Sequence, residues 1–204
     1  MAIITPHSAI EFGLGSGITQ RTYGMAGESR ATGSIQYVMT GESRWMLTIA
    51  SPKMMTAIEA GRWRAMLLSL RGRTHHLACW DPGRALPQGS ARSAMTLGAA
   101  AAKGAGAVSI AGGNGTLKTG DWLQIGPLGL GTSQLVCLVA DATVPGTVQF
   151  EPPLRQGFAS GTAVTFNKAS SLFKLSGADL PEFSVAASAG QIAGLKFNLL
   201  EQWS

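Results

Sequence analysis

This sequence predicts a mainly β protein with one α-helix, and three observations carry that prediction. Glycine is abundant, 27 residues with 9 prolines, which favours short strands joined by turns over a helical bundle. Short runs with apolar residues at every second position recur along the chain between Gly/Pro turns. Only one segment carries the 3.6-residue period of an amphipathic helix.

In chain order, residues 1–32 have no clear period. They contain the Gly/Ser-rich GLGSG and then RTYGMAGESRATG, which reads as an extended arm or long loop. GSIQYVM (33–39) alternates with Ile35, Tyr37 and Met39 on one face, and RWMLTIA (44–50) with Trp45, Leu47 and Ile49. The four residues TGES between them suggest a hairpin. A helix is predicted over 52–71, with Ser51 as cap, Pro52 in the first turn and Gly72 ending it. Met55, Ile58, Trp63, Met66, Leu67 and Leu70 then share about half the circumference, and Arg64 and Arg71 lie opposite. Arg62 falls inside the apolar stripe and must either snorkel or meet an acid. THHLACW (74–80) reads as a strand ended by DPG.

From about residue 87 the chain turns small and featureless (PQGSARSAMTLGAAAAKGAGA). Short strands then return at GDWLQI (120–125), QLVCLVA (134–140), TVQFEP (147–152) and TAVTF (162–166). That spacing predicts a small barrel or sandwich. LFKL (172–175), PEFSVAA (181–187) and GLKFNLLEQ (194–202) resume the earlier style. The domain reading is therefore 1–86 with 168–204 as one unit and 87–167 inserted in it. On that reading, excising the insert should leave a folded core.

Hydrophobic residues make up 45% of the chain and charged residues only 13%, about half the usual quarter, which suits a surface buried against partners. The net charge of +5 is uneven. Residues 1–100 hold 10 Lys/Arg against 5 Asp/Glu, and residues 101–204 hold 6 against 6. The first-half cations are arginines except Lys53, a preference that suits ion pairs at interfaces and phosphate contacts. Cys79 and Cys137, each in an apolar run without CxxC spacing, read as buried free thiols. The N-terminus lacks the basic and apolar regions of a signal peptide, and no apolar run reaches about 18 residues, so the expectation is a soluble protein made in a cytoplasm.

Catalytic patterns are missing. GLGSG has leucine where a nucleophile elbow needs glycine, GPLGLG lacks the third glycine of a dinucleotide loop, and Lys118-Thr119 follows leucine rather than a phosphate-loop glycine. His75 and His76 are neighbours on a strand and point to opposite faces, so they read as one core and one surface histidine. The acids are scattered, without paired-carboxylate spacing. The expectation is a non-enzyme with no cofactor and no metal. The stretch GRWRAMLLSLRGR carries Arg62, Arg64, Arg71 and Arg73, which read as subunit-interface candidates; direct nucleic-acid contact is the alternative.

Several elements together resemble tail proteins of long-tailed bacteriophages, more narrowly the distal tail (Dit-like) proteins of the tail tip. They are the RWM hairpin, the helix ending LLSLRGR, the strand ending CWDP, the inserted GDWLQIG…LVADATVPGTVQFEPPLRQGFASGTAV and the closing strands, over about residues 30–200. The resemblance implies a β-sandwich first domain with a helix, and an OB-like or other small β domain at 87–167. It also implies a homohexameric ring under the tail tube that holds the baseplate hub or fibres, with its location in the virion. Its partners would be further copies of itself, the tail tube protein and the hub. Phage DNA passes through the lumen of such a ring. A tail terminator or other minor tail protein is the nearest alternative, and a basic nucleic-acid-binding protein a more distant one. The insert offers only Trp122 as a prominent aromatic, which argues against carbohydrate binding.

Overall fold

The computed structural model describes residues 1–28, 30, 32–177 and 192–203. In chain order they form β1 (Ile3–Ile4), β2 (Gly17–Glu28), β3 (Ile35–Ala50), β4 (Met54–Met55), α1 (Ala57–Ser69) and β5 (His76–Trp80). Then come β6 (Met95–Leu97), β7 (Ala107–Leu117), β8 (Trp122–Ile125), β9 (Gln134–Leu138), β10 (Ala142–Glu151) and β11 (Ala163–Thr165). The last are β12 (Ser170–Leu175), β13 (Ile192–Ala193) and β14 (Lys196–Glu201). The molecule is mainly β, with a six-stranded sheet in the order β1-β5-β12-β14-β3-β2 and a separate closed barrel in the order β10-β7-β6-β11-β8-β9. Among the described residues no second large sheet faces the first. α1 and the barrel cover its core face where a sandwich would place another layer.

The expected hairpin with a turn at TGES is instead one continuous strand, β3. Gly41 does not adopt a left-handed conformation; it sits opposite Tyr23, and the register shift beside Tyr23 absorbs the irregularity. The partner of β3 is β2, inside the segment read as an arm or loop, and the turn between them carries Gly33 at φ 65°. Only the second half of β3 lies over the core, where Trp45, Leu47 and Ile49 alternate with half-exposed residues.

α1 starts five residues later than Pro52 suggests. Thr56 and Glu59 form a reciprocal capping box: Glu59 N–H donates to the Thr56 hydroxyl, and Thr56 N–H donates to the Glu59 carboxylate at 2.8 Å. Ser51 is engaged elsewhere, since its hydroxyl accepts the Leu195 N–H at 2.8 Å, and β4 is held in a strand pair with β13. The helix ends at Leu70, after which Arg71 and Gly72 turn left-handed, so Gly72 does close it. Ala60, Trp63, Met66 and Leu67 are buried as the period requires, but Ile58 is 71% exposed.

Two buried clusters follow. The barrel interior is filled by side chains such as Leu97, Leu117, Leu123, Val148 and Phe150. The larger cluster joins the sheet, α1 and the outer face of the barrel: Trp45, Leu47, Trp63, Leu67, Phe173 and Leu199 pack with Trp122 and Leu135. Each large apolar side chain contributes about 1.5–3 kcal/mol on burial. Trp45 fastens the two parts, its ring N–H donating to the Leu135 carbonyl at 2.8 Å and its ring meeting Trp122 edge-on at 4.9 Å. Trp122 donates in turn to Asp81 at 2.9 Å, so this aromatic is spent on the junction. The strands of the barrel lie between Met95 and Thr165; β6 arises within the stretch that reads as featureless, and β7 begins at its last residue. PEFSVAA (181–187) lies outside the described residues.

A buried ion pair completes the junction. Arg155 Nη2 donates to a Glu201 carboxylate oxygen at 2.6 Å and to the Ser43 carbonyl at 2.6 Å. Glu201 also accepts the Trp45 backbone N–H and the Ser171 hydroxyl, and the Trp203 ring lies 5.0 Å from the guanidinium. Cys79 is buried and Cys137 half-buried, and both are free.

Candidate interaction surfaces

Two surfaces stand out, and strand pairing builds both. The first is the distal half of the β2–β3 ribbon. Tyr23 to Glu28 pair with Ile35 to Gly41, and apart from half-buried Tyr23 the described residues of this ribbon are exposed. It is nonetheless apolar: Ile35, Tyr37 and Met39 project to one side, and Met25 and Val38 to the other. The Tyr37 ring lies over Gly24, where an added Cβ would sit 2.4 Å from it, so a flat patch replaces a ridge. At the base of this arm, Met39 and Glu42 meet Pro152, Pro153 and Leu154 across a cleft of about 170 Å³.

The second is the face of the six-stranded sheet turned away from α1 and the barrel. Cross-strand partners share a face, and the register runs Lys174, Leu200, Met46, Thr19 across four strands. Neighbouring rows hold Arg44 opposite Arg21, Asn198 opposite Thr48, and Lys196 opposite Ala50. Arg21 stacks on Tyr23 at 5.3 Å. None of Arg21, Arg44, Lys174 and Lys196 forms a salt bridge with a described residue. A cleft of about 320 Å³ opens on this face between Arg21, Arg73, Lys174, Ser176, Leu200 and Gln202.

The four arginines singled out from the sequence are placed apart. Arg62 is half-buried one turn beyond Glu59, whose carboxyl is held below its ordinary range first by the Thr56 hydrogen bonds and further by the Arg62 charge. Arg64 and Arg71 are exposed, Arg71 in the left-handed turn after α1. Arg73 folds back to donate to the carbonyls of Ser176 and Gly177, and it alone of the four lines the cationic cleft. Arg21, Arg44, Lys174 and Lys196 were missed because they lie on four strands and meet only through register. The available signal was the polar phase of those strands, R-W-M-L-T and K-F-N-L-L.

The groups that could be reactive are used structurally. His75 Nδ1 accepts the Ala2 N–H, and buried His76 pairs with β1; burial, then the Lys174 charge, lowers its pKa. Burial pushes the Cys79 thiol up to about 12, far from a nucleophilic thiolate at neutral pH, and raises Cys137 as well. Comparison of the chain with known protein families and with curated proteins finds no match.

Proposed function

We propose that this chain is a structural subunit of a bacteriophage tail, assembling into a ring at the distal end of the tail tube and linking the tube to the baseplate hub or fibres. The sequence resemblance supplies the identity of the assembly and its expected six copies. The observation that carries the assembly itself is the β2–β3 arm. A two-stranded ribbon is marginal in water without a layer packed against it, and this one displays Met25, Ile35, Tyr37, Val38 and Met39 to solvent. A neighbouring copy supplies the missing layer and covers the free edge of β2. Heterologous contacts of this kind build a ring when the rotation between neighbours closes, which is the outcome the resemblance implies. The barrel, fastened to the sheet by Trp45 and Trp122, fits an outward-facing module of such a ring. Its six strands are one more than the five of an OB barrel.

Light scattering on the purified protein, with negative-stain images of the same peak, tests the reading. A ring of about six subunits is the expected result, and a strict monomer at every concentration overturns it. The matching variant replaces residues 24–40 by Asn-Gly, closing the hairpin between Tyr23 and Gly41, which are already cross-strand partners. It is expected to keep its melting temperature within a few degrees and to remain monomeric.

A further inference from the structure

We infer that the open part of the sheet face, across β12, β14, β3 and β2, is a docking surface for the sugar–phosphate backbone of duplex DNA, held without reading of its sequence. The inference stands on this face alone and does not depend on the ring.

The face gathers Arg21, Arg44, Lys174 and Lys196, with Arg73 at its border, and no described acid lies in the same rows. Arg21 and Arg44 are directly opposite, an arrangement that destabilises an isolated sheet. A fold that keeps such a pair exposed is relieved when an anion lies between the two guanidinium groups. From Arg21 on β2 to Lys174 on β12 is three strand spacings, about 14 Å. That is the scale of the major groove of B-DNA, about 12 Å wide between its phosphate rows.

The chemistry of the face selects the partner. Its outward groups are mostly donors: guanidinium and ammonium groups, and the Asn198 amide, whose carbonyl is taken by the Thr48 hydroxyl at 2.9 Å. A phosphate backbone presents acceptors throughout, whereas an ordinary protein surface mixes acceptors with donors, and this face has little to receive the donors. The apolar part, Met46 and Leu200, is small and half-buried, well short of the apolar centre of a protein interface. A second copy of the chain offers poor complementarity as well. Of the nine described acids, Asp121 and Glu201 are buried, Asp141 holds Lys118, Glu42 holds Lys103, Glu59 caps α1 and Asp81 holds Trp122. That leaves Glu11, Glu28 and Glu151 exposed on three separate segments rather than as one acidic patch. The face also lacks aligned base-reading side chains, so contacts stop at the backbone.

The test is fluorescence anisotropy with two labelled 20-base-pair duplexes of unrelated sequence, titrated at stepped salt concentrations. Both are expected to bind equally, with affinity falling steeply as salt rises. Each phosphate contact contributes about 0.9 to the log–log slope, so Arg21→Gln/Arg44→Gln should lower its magnitude by about 2. Because that variant removes a like-charge pair, its melting temperature should not fall; if it does, Lys174→Gln/Lys196→Gln asks the same question. Lys103→Gln on the barrel should leave the slope unchanged. No binding at 50 mM salt, a slope indifferent to both double variants, or poly-glutamate of equal charge competing as well as unlabelled duplex would each overturn the inference, the last in favour of an acidic polypeptide.

Discussion

Arg155 and Glu201 show most directly what single side chains do here. Both are buried, the pair closes at 2.6 Å, and Arg155 Nη1 has no hydrogen-bond partner among the described groups. Truncating one member of such a pair leaves the other charged and desolvated. Arg155→Met is therefore expected to cost about 3–5 kcal/mol in urea denaturation. Adding Glu201→Gln should recover part of that loss, because a neutral amide still accepts the Trp45 N–H. Additive losses in the double variant would show that the two residues act independently. His76 works through pH. Its folded-state pKa lies below the ordinary value of about 6.5, so the unfolded chain takes up a proton that the folded site resists. Its contribution to stability is complete above about pH 6.5 and is lost as pH falls below it. Denaturation series at pH 5 to 8 should show this slope in the parent and a flatter one in His76→Gln. That one of the two adjacent histidines is a core residue was legible in the sequence; the ion pair was not, since Arg155 sits in a PPLRQG turn and its partner is 46 residues away.

For the elements, what could be read in advance depended on whether packing followed periodicity. The buried stripe of α1 was visible as spacing, because Trp63, Met66 and Leu67 pack where the 3.6 period puts them. Its start was not, since Ser51-Pro52 and Thr56-x-x-Glu59 are both plausible openings and only pairing of β4 with β13 decides between them. Thr56→Ala is expected to cost about 1 kcal/mol; Ser51→Ala should act instead through the Leu195 N–H it leaves unmet, and thermal melts of the two variants separate these effects. β2 escaped notice because exposure on both faces of its distal half removes the alternation by which strands are recognised. β7 did so because Ala111, Gly112, Gly113 and Gly115 interrupt the alternation between its buried Ile110 and Leu117. The cationic face was hidden for a related reason: its members are ordinary polar positions on each strand, and only the order β12-β14-β3-β2 makes them neighbours.

Taken whole, the molecule is less modular than its chain suggests. The barrel interrupts the sheet domain in sequence, yet Trp122 and Leu135 on its outer surface belong to the same buried cluster as Trp45 and Phe173. Replacing residues 88–167 by a short linker would remove the ring contact and hydrogen bond of Trp45 and leave Glu201 buried without Arg155. The excised sheet domain is therefore expected to lose its near-ultraviolet circular dichroism and to bind a hydrophobic dye. A cooperative melt in that variant would show that the sheet stands alone.

The place of β14 has a kinetic consequence. It lies between β12 and β3, so β3 pairs with residues about 150 positions further along the chain, as the Thr48–Asn198 contact illustrates. The barrel draws all its strands from one continuous stretch and closes over far shorter loops. Long loops are slow to close, so during synthesis the barrel can be complete while β2 and β3 remain a bare ribbon with both edges open. The nascent chain thus passes through an interval in which Trp45, Leu47 and Ile49 are uncovered. Capture of β14 closes the open edge of β3, and docking of the barrel through Trp122 and Leu135 then covers Trp45.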